Sequence, residues 1–80
     1  MKRYFFDIRD GDKLAVDEEG MELPHVEAAQ EEAAQSLADM ARDRMRRTPF
    51  CHMAIEVRDS GGPVVEATFQ WQWQLRTPKQ

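Results

Sequence analysis

The sequence predicts an α+β domain of the ββαββ type, in which one long helix covers one face of a four-stranded antiparallel sheet. Two observations indicate the strands. Apolar and polar residues alternate over residues 3–9 and again over residues 52–58, and each run is followed by a turn that contains glycine. A third observation indicates the helix, because the apolar residues between these runs recur at steps of three and four.

The first predicted hairpin joins a strand at residues 3–9 to a weaker strand at residues 13–17. The Asp-Gly pair at residues 10–11 supplies the turn, since glycine adopts a positive φ at little cost. In an extended chain alternate side chains share a face, so Tyr4, Phe6 and Ile8 lie on one face and Phe5 lies on the other. We expect the second strand to end at the Glu-Gly pair of residues 19–20.

A long helix is predicted over residues 24–47. Pro24 suits its first turn, where the missing N–H has no partner to lose. Acidic residues lie early in the helix and arginines late, which is the arrangement that the helix dipole favours. Pro49 follows the helix, and the residue before a proline avoids the α region. The apolar stripe that should face the sheet consists of Val26, Ala29, Ala33, Leu37, Met40 and Ala41.

The second predicted hairpin joins residues 52–58 to a strand at residues 64–75 through a turn at residues 59–62. Placing the four strands in the order 2-1-3-4 makes every neighbouring pair antiparallel and needs no long connection. We therefore expect residues 1–76 to form a single domain, followed by a frayed tail at residues 77–80.

Composition places the chain among small intracellular domains. It has 80 residues, a net charge of −4, and no apolar stretch long enough to span a bilayer. Its single cysteine, Cys51, can form no internal disulfide. Small secreted domains usually depend on disulfides, so we expect a cytoplasmic location. The acidic balance disfavours unspecific binding of nucleic acid, which needs clustered positive charge.

Few residues suggest catalysis or metal binding. Cys51 and His52 are adjacent, so on a strand they point to opposite faces, and His25 lies at the start of the helix. The acids around the first turn could suggest a site for a hard cation, but their spacing is not that of an EF-hand loop, and a plain turn explains them. We predict no catalytic residue, no cofactor and no metal site. The acids in question are Asp7, Asp10, Asp12 and Asp17.

The fourth predicted strand carries the first candidate interaction surface. Phe69, Trp71 and Trp73 could stack the bases of a single-stranded nucleic acid, but they share the face that we assign to the core. In the order 2-1-3-4 this strand is an edge, and an edge presents unpaired backbone groups. It is long, and Glu66 is its only charge before Arg76. We therefore expect a homodimer that forms through this strand.

The end of the helix carries the second candidate surface, which consists of Arg42, Arg46 and Arg47. These arginines could contact phosphates or an acidic protein partner. Asp39 and Asp43 stand at spacings that also allow ion pairs along the helix. Because such pairs neutralise them in part, the arginines are better explained by the helix dipole and by solubility than by contact with phosphates.

Four segments carry a resemblance to a known family. Residues 4–11 read YFFDIRDG, residues 17–24 read DEEGMELP, residues 27–29 read EAA, and residues 53–59 read MAIEVRD. In this pattern the chain resembles a family of short bacterial proteins of unknown function, up to about residue 65. The resemblance implies a shared fold and brings no activity with it.

A looser similarity of layout, without a shared motif, links the hairpin-then-helix half to HicB-like antitoxins. Two hypotheses of function follow. The first is a non-catalytic protein-interaction module that self-associates or binds a protein partner. The second is a nucleic-acid-linked regulator that resembles those antitoxins. Only the second predicts salt-sensitive retention on a polyanion.

Overall fold

The computed structural model describes residues 1–76, and the frayed tail expected at residues 77–80 lies outside them. Within the described part the chain forms five strands and one helix, which confirms the α+β class. In chain order these elements are β1 (Lys2–Asp10), β2 (Lys13–Ala15), β3 (Met21–Leu23), α1 (Val26–Met45), β4 (Phe50–Asp59) and β5 (Gly62–Gln72).

All neighbouring strands of the sheet are antiparallel. The predicted third and fourth strands correspond to β4 and β5, so the path β2-β1-β4-β5 is the predicted order 2-1-3-4. β3 is an additional strand that pairs with β1. The two longest strands, β4 and β5, form the second hairpin. β4 lies between β1 and β5 and has more buried residues than any other strand of the described part.

The outer edge of β1 is covered by two short strands and not by the one predicted at residues 13–17. β2 stops at Ala15 and pairs with the last three residues of β1, whereas β3 pairs with the first three. The strand breaks because the side chain of Asp17, and not a backbone carbonyl, accepts the N–H of Phe6 at 3.0 Å. The glycine turn expected at residues 19–20 thus leads into a further strand.

The helix begins at Val26, two residues after the predicted start at Pro24. His25 is the N-cap, since its backbone is extended and its Nδ1 accepts the N–H of Ala28 at 3.2 Å. Pro24 therefore lies before the cap and is not part of the first turn.

The helix ends at Met45, two residues before the predicted end. The N–H groups of Arg47 and Thr48 both donate to the carbonyl of Arg44, at 3.0 and 3.1 Å, which tightens the last turn. The guanidinium of Arg44 forms an ion pair with Asp10 at the end of β1. This pair attaches the end of the helix to the β1 side of the sheet.

One face of the sheet packs against α1 and forms the core. The buried residues of the helix all belong to the predicted stripe, and its small alanines allow close approach to the sheet. α1 lies over β4 and β5. The core consists of Ala29, Ala33 and Leu37 from the helix and Tyr4, Cys51, Met53, Ile55 and Val57 from the sheet.

Candidate functional site

β5 has a free outer edge. It pairs with β4 on one side, and no strand of residues 1–76 pairs with the other. The N–H of Trp73 donates to the carbonyl of Pro49 at 3.0 Å, so the odd-numbered residues of β5 direct their backbone groups towards β4. The even-numbered residues direct theirs away from the sheet. We call these residues the β5 edge: Glu66, Thr68, Gln70 and Gln72.

The β5 edge lacks the features that commonly protect an edge strand. Glu66 is its only charge, and Pro63 stands before it. The irregularity in the pairing of β4 with β5 lies at Val57 and Arg58, opposite the start of β5. From residue 65 to residue 72 the register with β4 is unbroken. The edge is therefore a straight row of outward N–H and C=O groups.

The structure separates the three aromatic residues of the first candidate surface. Phe69 and Trp71 are half-buried and pack against the core beneath α1. β5 stops at Gln72 and not at residue 75 as predicted, so Trp73 lies beyond the strand, where it is 50% exposed. The indole N–H of Trp71 is buried and has no hydrogen-bond partner in the described part of the chain.

The arginines of the second candidate surface lie on the exposed side of the helix end. Nη2 of Arg42 lies 3.4 Å from Oδ1 of Asp39, and Nη2 of Arg47 lies 3.0 Å from Oδ2 of Asp43. These side chains are mostly exposed, so the two pairs contribute little to stability. Arg46 is exposed as well and occupies the C-cap. Two of the three arginines thus share their charge with an aspartate on the same helix.

A charged network that the sequence reasoning missed lies on the sheet face opposite the helix. Asp7 is the one buried charged residue of the part that the structure describes. Nε of Arg58 donates to Oδ2 of Asp7 at 2.8 Å, and Nη2 donates to the Asp17 carbonyl at 2.9 Å. The N–H of Asp17 donates to Oδ1 of Asp7 at 2.9 Å. The guanidinium of Arg58 also lies 4.5 Å from the centroid of the Phe5 ring.

The Asp17 side chain bridges the gap between β2 and β3. Its Oδ2 accepts the N–H of Phe6, and its Oδ1 accepts those of Glu19 and Gly20 at 3.1 and 3.2 Å. The hydrogen bond from Phe6 is the main cause that holds the pKa of Asp17 below its usual range. Burial acts to raise the pKa of Asp7, but the hydrogen bonds of the network outweigh it, so that pKa is also lowered.

The run at residues 17–20 contained a signal for this arrangement. An aspartate whose side chain accepts N–H groups two and three residues later is a common turn motif, and here it precedes a glycine. Gly20 has a φ of +74°, and a Cβ there would lie 2.9 Å from Cγ of Arg3 and from Cε2 of Phe5. Glycine is therefore required at this position both by its backbone angle and by the available space.

Of the residues considered for catalysis or metal binding, Asp7 and Asp17 come together in the network with Arg58, whereas the histidines, the cysteine and Asp10 lie apart from it. Cys51 lies in the core, His52 is exposed on the opposite face, and His25 caps the helix. Asp10 pairs with Arg44. Across residues 1–76, no group of three His, Cys, Asp or Glu side chains is placed to hold a metal ion. The helix of the described region is not long and apolar enough to cross a membrane.

No curated protein and no solved structure matches the chain, and no match supports the layout similarity to HicB-like antitoxins. A family described as a domain of unknown function (DUF6894) matches residues 3–70. The match extends from β1 into β5 and includes the segments that carried the resemblance to a family of unknown function. That resemblance is confirmed, and the chain belongs to the family DUF6894.

Proposed function

We propose that the domain is a protein-interaction module that pairs with a second copy of itself through the β5 edge. The observation that supports this is the regular row of outward backbone groups at Glu66, Thr68, Gln70 and Gln72. A long edge with a single charge and no proline or bulge along it is a ready template for another strand. The module acts through backbone pairing, so the proposal involves no catalytic group.

A second copy suits this edge because antiparallel pairing of β5 with itself joins two sheets by a two-fold axis and covers both free edges at once. The side-chain charges permit it. When the axis passes near Thr68, Glu66 of each copy faces Gln70 of the other, so the single acidic residue of the edge meets no like charge. Net backbone hydrogen bonds contribute about 0.5–1.5 kcal/mol each, and the loss of translational and rotational freedom offsets much of their sum, so we expect a weak dimer with a dissociation constant of roughly micromolar or above.

The test is the substitution Thr68→Pro. The N–H of Thr68 points away from β4, so proline removes no hydrogen bond within the chain, while its ring occupies the place of the partner strand. Thr68→Ala is the matched control, because it shortens the same side chain and keeps the N–H. Sedimentation velocity between about 1 and 300 µM, a range set by the expected affinity, gives the mass of each.

We expect the wild type and Thr68→Ala to approach twice the chain mass of 9.3 kDa, and Thr68→Pro to stay at that mass. Circular dichroism should show that the proline variant retains its strands and helix. A wild type that is monomeric over the whole concentration range would contradict the proposal. So would a Thr68→Pro variant that is folded and still dimeric.

A further inference from the structure

We propose that the two α1 helices of the dimer pack side by side and antiparallel above the paired β5 strands. This inference rests on the proposed function and specifies how one copy recognises the other. The surface involved is a single flank of the helix, here called the β5-side flank. It consists of Glu27, Glu31, Ala34, Ala38 and Arg42.

The contacts of α1 indicate which flank faces the free edge. Arg44 pairs with Asp10 on β1, so the side of the helix that carries Arg44 faces β1. Ser36, two turns earlier on that side, is half-buried. Ala34 and Ala38 lie on the other side of the buried row of the helix and are exposed. Their flank consequently faces outward over β5, where a second copy would stand.

The spacing of the elements brings the two helices into contact. α1 lies over β4 and β5, and an axis midway between these two strands is about half a strand spacing inside β5. With strands about 4.8 Å apart, pairing of two β5 strands places the two helix axes about 10 Å apart. Packed helices have axes about 8–10 Å apart, which requires small side chains at the closest approach. Ala34 and Ala38 provide them at the middle of the helix.

The charges of the β5-side flank are complementary to each other in an antiparallel pair. Glu27 and Glu31 precede the two alanines, and Arg42 follows them. A two-fold axis near the alanines therefore places Arg42 of each copy near Glu31 of the other. The Arg42 side chain is 70% exposed, and its pair with Asp39 is weak, so it can turn towards the partner, where Glu31 is exposed as well. Parallel helices would instead oppose acid to acid, which is unfavourable.

Two charge reversals test this helix contact. Glu31→Lys places a second cation opposite Arg42 of the partner, and Arg42→Glu makes the flank entirely acidic, so either variant alone repels its own copy. We expect the dissociation constant of each homodimer to rise roughly tenfold, since each reversal acts twice. In an equimolar mixture both contacts become attractive, and we expect a heterodimer with nearly the wild-type affinity.

The controls are Glu32→Lys, on the other side of the helix, and Arg47→Glu, just beyond the end of the helix, and both make the same charge changes outside the β5-side flank. We expect these controls to shift the dissociation constant by less than about twofold. The proposed helix contact is wrong, and the β5 pairing stands, in either of two cases in which the wild type dimerises. In the first, the two reversals raise the dissociation constant no more than their controls do. In the second, the mixture of the two variants forms no heterodimer of nearly wild-type affinity. A wild type that never dimerises would overturn both proposals.

Discussion

Replacing Arg58 with alanine should remove about a quarter or more of the stability of the domain. Arg58 donates two hydrogen bonds to the Asp7 carboxylate and one to the Asp17 carbonyl. The Asp7 side chain is only 11% exposed, so the variant leaves a nearly buried carboxylate without its counter-ion. Losing one partner of a fully buried pair costs about 3–5 kcal/mol. Arg58 itself is 35% exposed, and water would compensate in part, so we expect about 2–3 kcal/mol.

Urea unfolding followed by circular dichroism measures this loss, which corresponds to a fall in Tm of roughly 10–20 °C for a domain of this size. Arg9→Ala is the matched control. Nε of Arg9 lies 2.8 Å from Oε2 of Glu56 on the same face of the sheet, but these side chains are 42% and 35% exposed. Such an exposed pair contributes little to stability, because water screens its charges. Equal losses at Arg58 and Arg9 would refute the argument that the burial of Asp7 determines the cost.

The pKa values of Asp7 and Asp17 are lowered in the folded chain. The two ionised carboxylates therefore stabilise the fold fully above the unfolded pKa of about 3.9, and this stabilisation is lost as the pH falls through the folded pKa values. We expect Tm to drop below about pH 4, and a flat acid profile would contradict this. Gly20→Ala, with its crowded Cβ, should cost about 1–3 kcal/mol in urea unfolding. Gly11→Ala, in open space at a φ of +65°, should cost about 1 kcal/mol, and equal losses would count against crowding. Leu37→Asp should abolish the cooperative melt, since Leu37 is 6% exposed, and an unchanged Tm would show that the stripe does not face the sheet.

The features of the fold that the sequence predicted correctly depend on residues that are close together in the chain. The second hairpin is an example, because Oδ1 of Asp59 accepts the N–H of Gly61 at 2.8 Å and closes the turn within three residues. The buried stripe of α1 likewise follows from the helical repeat alone. From the hairpins and the stripe, the strand order follows by elimination. This predicted order places the last strand at the edge of the sheet, where the candidate site lies.

The break between β2 and β3 depends on residues that are far apart in the chain. The carbonyl of Asp17 accepts a hydrogen bond from Arg58, 41 residues later. The pattern of apolar residues does not indicate such a long-range polar contact. Taken alone, the Asp-Glu-Glu-Gly run at residues 17–20 indicates a turn after a strand, but it does not indicate that another strand follows. The end of β5 was misplaced for a related reason. Alternation continues through Trp73 to Leu75, but the ladder ends where β4 begins, at Phe50 opposite Gln72. Trp73 still donates its N–H to Pro49, but Pro49 lies before β4 and does not extend the strand.

The two edges of the sheet differ, and the difference decides what kind of assembly the chain can form. One edge consists of β2 and β3, each three residues long and separated by the turn that Asp17 and Arg58 hold in place. Short, interrupted strands are poor templates for a further strand. The other edge is β5, with 11 residues and a regular register from residue 65 onward. The proposed two-fold pair would therefore use the one favourable edge of each copy and leave the unfavourable edges outside, so we expect it to close as a dimer without extending into a fibre. The mass measured by sedimentation should reach a plateau at twice the chain mass as the concentration rises. Larger species that increase with concentration would show that the β2–β3 edge also pairs.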